Sequence, residues 1–400
     1  MDLPEIFKIK GVMQNYSWGG ECFLPHLVGI QPDGNTYAEY WMGDHIKGPS
    51  IVENNGQSLK ELIEQKPIEL LGYPVFKKFG RLPYLFKVLD VNDMLSIQVH
   101  PSKKEAEKGY TKENEKGIPL NSSYRNYKDN NHKPEIMVAL SEFWLLHGFL
   151  SDNDLGDNLK QVPELAHLLP VFKEGSIKKL YQQVMLEPQS ETDKVLSALK
   201  SRLLSSKLEW NKSSPEYWAK KAFESFCIDN KMDKGIYSIF FFNIVKLNPG
   251  EAIFQDAGIP HAYLEGQNME LMANSDNVLR GGLTQKNVDV PELLRNIKFE
   301  SILPVKLEGE LQSDNIERVY KSPAKDFELS QLSLSVDSLY SSISNNLEIF
   351  IVLEGEVVVS GHSLLKLNKG EVFGVKAGAK YTLKSNESAI IYKAKCPVEL

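Results

Sequence analysis

Four side chains, scattered along the chain, share the donor chemistry of a metal site. In residues 94–100, Leu95, Ile97 and Val99 alternate with Ser96, Gln98 and His100. Residues two apart on a strand point to one side, so Gln98 and His100 can reach the same ion. Glu135 precedes an apolar run at 136–140, and His261 follows a Gly-Ile-Pro turn. Imidazole, carboxylate and amide donors together suit a borderline divalent cation, zinc where no redox step is needed. The separations between them are long. Spacing therefore leaves a second reading open, in which these are hydrogen-bonded structural histidines, and His45, His132 and His147 stand as rival donors.

A second group is cationic. Lys87 interrupts an apolar run at 83–89, Lys133 lies beside Glu135, and Arg280 and Lys286 flank Gly281-Gly282. A lysine directed into a protein interior needs an anion, from the protein or from a ligand. Its alternative is to snorkel at a strand edge. For Arg280 the alternative is a surface ion pair. Ser96 and Trp18 carry a weaker signal, Trp18 reading first as a core residue. The chain has no Gly-Lys-Ser/Thr phosphate loop, no Gly-x-Gly-x-x-Gly after a strand and no Gly-x-Ser-x-Gly. Nucleotide hydrolysis, dinucleotide redox chemistry and serine hydrolysis lose their usual marks.

The elements that must position these residues read as β, helix, β, β. Residues 14–20 form a loop, 39–43 a short aromatic strand and 58–71 a short helix. A buried strand at 83–89 is followed, after a turn, by the alternating strand at 94–100, which Pro101 ends. Residues 102–130 are charged and turn-rich and read as a loop over a site. From 151 to 233 the period becomes helical, with Ile177, Leu180, Tyr181 and Val184, then Val195, Leu196, Leu199, Leu203 and Leu204. Pro163, Pro170, Pro188 and Pro215 divide this block into short helices. Strands resume at 236–247 and continue to 347–353 and 356–359.

An internal echo links the two later β regions. Leu247-Asn248-Pro249-Gly250-Glu251 returns as Leu367-Asn368-Lys369-Gly370-Glu371, and Gly258-Ile259-Pro260-His261 returns, the same distance further on, as Gly378-Ala379-Lys380-Tyr381. This is the rhythm of a cupin-type jelly roll. Tyr381 then stands where His261 stands, so the second copy keeps the fold and lacks the ligand.

The 400 residues, 42% hydrophobic and 25% charged, describe a globular chain of several domains. A formal net charge of −7 without a basic block argues against nucleic acid. Three widely separated Cys support neither a disulfide framework nor a Cys-based zinc site and fit the cytoplasm. No apolar run approaches the length of a membrane span.

At these residues the sequence resembles the type I mannose-6-phosphate isomerases. The resemblance rests on Gln14-Asn15-Tyr16-Ser17-Trp18-Gly19, Ala38-Glu39-Tyr40-Trp41-Met42-Gly43, Leu85-Phe86-Lys87-Val88-Leu89 and Leu95-Ser96-Ile97-Gln98-Val99-His100-Pro101. It continues through Asn126-Tyr127-Lys128-Asp129, Asn131-His132-Lys133-Pro134-Glu135, Pro260-His261-Ala262-Tyr263 and Ser275-Asp276-Asn277-Val278 with Arg280. It implies a mainly β fold with a helical insert: two cupin-type jelly-roll barrels plus an α-helical domain. The expected divisions are a catalytic cupin domain at 1–150 and 234–302, the insert at 151–233 and a ligand-free jelly roll at 303–400.

The resemblance also implies one zinc ion per chain on Gln98, His100, Glu135 and His261, and a catalytic role for Arg280. Ser96, Lys87, Lys133, Lys286, Glu270 and Trp18 would lie in the sugar-phosphate pocket. The implied reaction interconverts mannose 6-phosphate and fructose 6-phosphate through a cis-enediol, in a cytoplasmic monomer whose partner is a small sugar phosphate. Glu270, Lys133 and a metal-bound hydroxide stay open as the base. Two departures from the family pattern stand out, Gln285 in place of Pro and Gly281 in place of Ala. The rival readings are a metal-dependent cupin oxygenase and a non-catalytic sugar-phosphate-binding cupin. Against the former, Gln98 takes the place of a histidine in the strand pair.

Overall fold

The computed structural model describes residues 3–229 and 231–397. The chain is mainly β, with several helices concentrated between two groups of strands. A ten-stranded sheet carries the metal-donor candidates. Its organiser is the strand His261–Ala273, long enough to meet different partners along its length. Near its start it pairs with Gln98–Val99 and Phe143–Phe149, and further on with Tyr84–Val91 and Glu135–Ala139. One strand therefore brings His261 beside Gln98 and, nine positions on by sequence number, sets Glu270 opposite Lys87. Every residue of Tyr84–Val91 is buried, which explains why its apolar run shows no alternation.

An eight-stranded and a four-stranded sheet hold the later strands. The eight-stranded sheet also takes in the early strand Ile6–Lys10, which pairs with Val372–Val375 on one side and Ile51–Val52 on the other. The two repeated turns close alike. Asn248 and Asn368 each donate a backbone N–H to the carboxylate of Glu251 and Glu371, at 2.7 Å in both. Gly250 and Gly370 have φ of 87° and 81°, a left-handed conformation that suits glycine.

Between these strand groups lie helices Asp152–Gln161, Leu169–Leu186, Gln189–Ser205 and Pro215–Phe226, and a 3₁₀ helix Pro163–Leu168. Ser151 starts the first, accepting from the Asp154 N–H. Pro163, Pro170 and Pro215 fall in first turns, where proline's missing N–H costs nothing, and Pro188 directly precedes a helix. Leu180, Tyr181, Leu196, Leu199 and Leu203 share one core with Ile97, Val99 and Phe149, so the helices pack on the strands that carry the site. Leu204 faces solvent instead.

Three expectations are corrected. Residues 102–130 are not all loop, since Lys103–Glu115 is a helix capped by Ser102. Only Ala106, Gly109 and Glu113 of that helix are buried, so it shows no apolar stripe. The expected strand 236–247 begins as a helix, Gly235–Phe241, and becomes a strand at Phe242–Leu247. All seven helical residues are buried, and an element apolar all round carries no period to read. Within 94–100 only Gln98–Val99 is strand, although Leu95 and Ile97 donate to the carbonyls of Tyr263 and Gly282. Among the described residues, no helix is long and apolar enough to cross a membrane.

Candidate active site

His100, Glu135 and His261 converge, each buried, with one donor atom from each all within 4.8 Å of one another. The Nε2 atoms of His100 and His261 lie 3.3 and 3.4 Å from the two oxygens of Glu135. Each imidazole is turned by its other nitrogen. Nδ1 of His100 is 2.9 Å from the Asn277 carbonyl, and Nδ1 of His261 is 2.9 Å from the Ile259 carbonyl. A carbonyl only accepts, so each Nδ1 carries a hydrogen and Nε2 is the nitrogen left for a ligand, the arrangement metal-binding histidines need. Among the described residues, the buried His100 Nε2 has no hydrogen-bond partner.

Electrostatics fit the same use. Burial and the nearby Lys133 ammonium push His100 down to about 4, so the ring is neutral near pH 7. Burial pushes Glu135 up, but the surrounding groups, the Lys133 ammonium foremost, outweigh it and hold its carboxyl well below the usual range. Lys133 sits 2.6 Å from Glu135 Oε1. Gln98 stands opposite both His261 and Arg280 in the sheet register and lines the same cavity. Two buried imidazoles and a carboxylate, with the Gln98 amide on the same cavity, are a donor set that fits zinc.

Lys87 is buried and does not snorkel. Its ammonium lies 3.0 Å from Glu270, 3.3 Å from Glu39 and 5.4 Å from the centre of the Trp41 ring. Burial opposes its charge, but Glu270, Glu39 and Glu135 outweigh that and raise its pKa. The other Glu270 oxygen accepts from the Tyr263 hydroxyl at 2.9 Å. Burial raises Glu270's pKa while Lys87 opposes the rise.

These groups open on one cavity of about 640 Å³, which Ser96, Trp18, Lys128, Arg280 and Lys286 also line. Arg280 is lowered by burial. Lys286 is lowered by burial and then by Arg280 and Lys47, so the cations at this end crowd one another. Trp18 is half-buried and stacks on Tyr16.

The rival histidines go elsewhere. His132 pairs with Asp326 at 3.0 Å, and His45 lies 3.5 Å from Asp276 and edge-on to Trp41. His147 is opposite His261 in register but stays outside the donor group.

The model of the phosphomannose isomerase type I catalytic domain matches residues 6–151. Mannose-6-phosphate isomerase of Escherichia coli (strain K12) is 38% identical over 374 residues, covering 91% of this chain and 93% of that one. The chain belongs to the type I phosphomannose isomerases. The mouse mannose-6-phosphate isomerase is 31% identical over 435 residues, across 99% of this chain and 100% of its own. A crystal structure of mannose 6-phosphate isomerase from Salmonella typhimurium, bound to substrate and a zinc atom, superposes with a TM-score of 0.89 at 35% identity. It covers 99% of this chain and 100% of its own.

Against the family pattern, Gly281 has a local reason. A Cβ there would lie 2.9 Å from Ile97 Cγ2 and 3.1 Å from the Tyr181 hydroxyl. Three pocket residues, Glu39, Tyr263 and Lys128, and the orienting residue Asn277 receive no role from sequence reasoning, although each lies inside a family-like motif, and alternation with Trp41 already puts Glu39 on the strand face that meets Lys87. Asn277 turns His100 through its backbone carbonyl, while its side chain accepts from the N–H groups of Lys128 and Asp129 and donates to the Asp129 and Asn131 carbonyls.

Proposed function

We infer that this chain interconverts D-mannose 6-phosphate and D-fructose 6-phosphate as a zinc-dependent aldose-ketose isomerase. The observation that carries the reading is the buried His100, Glu135 and His261 group, whose Glu135 and His261 line the same cavity as Arg280. Gln98, His100, Glu135 and His261 would hold the ion. Zinc, when bound, supplies a redox-inert Lewis acid for the substrate oxygens. With a glutamine in the strand pair, this donor set favours isomerisation over oxygenase chemistry.

Moving a proton between C2 and C1 builds negative charge on an enediolate. Arg280 stabilises that charge from a partly buried position, where a fixed cation is worth more than in water. Lys286 and Ser96 receive the phosphate, a role supported by cation crowding that a dianion would relieve. Glu270 is the proton relay. Burial shifts it in the direction a base working near neutrality requires. Lys133 is tied to Glu135 and holds that carboxylate ionised, while Lys87, fixed between Glu39 and Glu270, presents its charge to the open-chain sugar. Trp18 shields one side of the pocket.

Two jelly rolls with a helical insert, divided at about 150, 233 and 302 as the sequence suggests, accommodate the three sheets and the repeated turns. A monomer suits a cavity lined from one chain, and three free Cys suit the cytoplasm. A coupled assay for fructose 6-phosphate formation from mannose 6-phosphate tests the reading. Activity should vanish on chelation and return with zinc, and full activity in metal-free protein would overturn it.

A further inference from the structure

The loop between Arg280 and Lys286 is gripped from two sides. On the sheet side, the Gly281 N–H donates to the Ile97 carbonyl at 2.8 Å, and the Ile97 N–H donates to the Gly282 carbonyl at 3.0 Å. Opposite stands Asp233, where the helical segment returns to the strands. Its Oδ1 accepts from the N–H groups of Leu283 at 2.8 Å and Gly235 at 2.7 Å. Its Oδ2 accepts from the Thr284 N–H at 3.1 Å. One carboxylate thus takes two consecutive N–H groups of the loop.

The loop conformation needs such a grip. Leu283 has φ of 52°, a left-handed conformation that a branched side chain rarely adopts without support. The two backbones also touch. A Cβ on Gly282 would lie 2.5 Å from the Gly235 Cα, and a Cβ on Gly235 would lie 2.5 Å from the Leu283 nitrogen. Behind the loop, a second cavity of about 430 Å³ is lined by Asp233, Met232, Gly282, Thr284 and Lys286. The loop is therefore a wall between two cavities, anchored by the buried Leu283 side chain and shaped by the hydrogen bonds that Asp233 and Ile97 supply to its backbone.

We propose that Asp233 is a positioning residue for the isomerase reaction, through which the helical segment fixes the Leu283-Thr284 backbone and so aims Arg280 and Lys286 into the substrate cavity. This rests on the reading of Lys286 as a phosphate contact and Arg280 as the enediolate cation. Asp233 lines the second cavity, behind the loop, rather than the one that Arg280 lines.

The test compares Asp233→Ala, Asp233→Asn, Lys286→Ala and Leu199→Ala, with zinc content, melting temperature, KM and kcat measured for each holoenzyme. Asp233→Ala is expected to lower kcat/KM for mannose 6-phosphate by about tenfold to a hundredfold, raising KM through Lys286 and lowering kcat through Arg280, since a displacement of about 1 Å costs that order of efficiency. Its zinc content should match the parent. Asp233→Asn keeps one acceptor oxygen and should recover most of the loss, which a purely volumetric role would not explain. Leu199→Ala, a core truncation in the same helical segment, should lower the melting temperature while leaving KM in place. If Lys286→Ala raises KM while both Asp233 variants keep the parental KM and kcat, the positioning role is overturned. If Lys286→Ala leaves KM unchanged, the phosphate assignment fails, and a KM rise in Asp233→Ala would then count against the proposal too. Should Asp233→Ala not fold, Asp233→Asn decides: a small residual rise in KM that the Leu199→Ala control lacks is expected from the one lost acceptor oxygen, and parental KM and kcat in Asp233→Asn would overturn the proposal.

Discussion

At the first pocket the Gly258 N–H donates to the carbonyl of His100; at the second, in the later sheets, the Gly378 N–H donates to the carbonyl of Ser344. The correspondence continues position by position. Gln98 opposes His261 as Ser342 opposes Tyr381. The Gly250 N–H reaches Ala139 as the Gly370 N–H reaches Val352, which aligns Glu135 with Glu348. Glu270 opposes Met137 and Lys87, where Lys393 opposes Phe350 and Ser330. Glu39 opposes Leu89 as Glu317 opposes Leu332.

Two buried carboxylates persist in both pockets, whereas the positive charge that balances them moves. In the second pocket Lys393 reaches Glu317 and the Tyr340 hydroxyl, and Tyr381 donates to Glu348 at 2.6 Å. Burial raises Glu348, while Lys393 outweighs the burial of Glu317 and lowers it. A lysine and two tyrosines therefore close the second pocket on itself. The first keeps cations on its acids as well, Lys133 on Glu135 and Lys87 between Glu39 and Glu270, but turns two imidazoles onto Glu135 where the second has Tyr381 and Ser344. An interior that must contain acids can be closed by hydroxyl and ammonium donors, as structure, or lined with donor atoms that fit an ion, as a site.

Substitutions at matched positions test this contrast. The largest effect is expected from His261→Ala, which should lose stoichiometric zinc and about a thousandfold in activity, the several kcal/mol a Lewis acid supplies. Tyr381→Phe, at the matched position, should change neither; metal analysis with the coupled assay decides. Arg280→Ala should lower kcat by about a hundredfold with zinc retained, separating the fixed cation from the ion. A change confined to KM would remove Arg280 from the enediolate. Lys393→Met should cost about 3–5 kcal/mol in urea unfolding, because it strands a buried carboxylate, and leave kcat of the folded enzyme intact. Equal loss of kcat would mean that the second pocket communicates with the first. The smallest effect is expected from Gly281→Ala, about 1 kcal/mol of overpacking against Ile97, read as a lowered melting temperature.

How far the sequence speaks depends on what sets each feature. The repeated Asn-x-Gly-Glu turns are legible because the geometry is local and glycine is needed for it. The match of Glu135 with Glu348, or of Lys87 with Ser330, is not, because the segments joining the strands differ in length and no single offset relates them. Lys87 shows that it needs an anion, since a lysine in an apolar run is a local anomaly. Its partners Glu39 and Glu270 emerge only from strand pairing. The Lys103–Glu115 and Gly235–Phe241 helices escape for opposite reasons, one too polar and one too uniformly buried to show a stripe. The donor set is visible as residue types, and its convergence is a property of the long strand His261–Ala273.

The strand Ile6–Lys10 has a consequence for how the molecule comes into being. Lys8 meets Glu371, a partner 363 positions away, and the strand's ladder runs along Val372–Val375. A ribosome delivers Ile6–Lys10 long before Val372–Val375, so the edge that will meet that strand waits unpaired while the intervening residues are made. The loop that this pairing closes spans most of the 400 residues, which places it late in folding as well. The architecture thus asks the cell to guard a sticky edge until Val372–Val375 arrives.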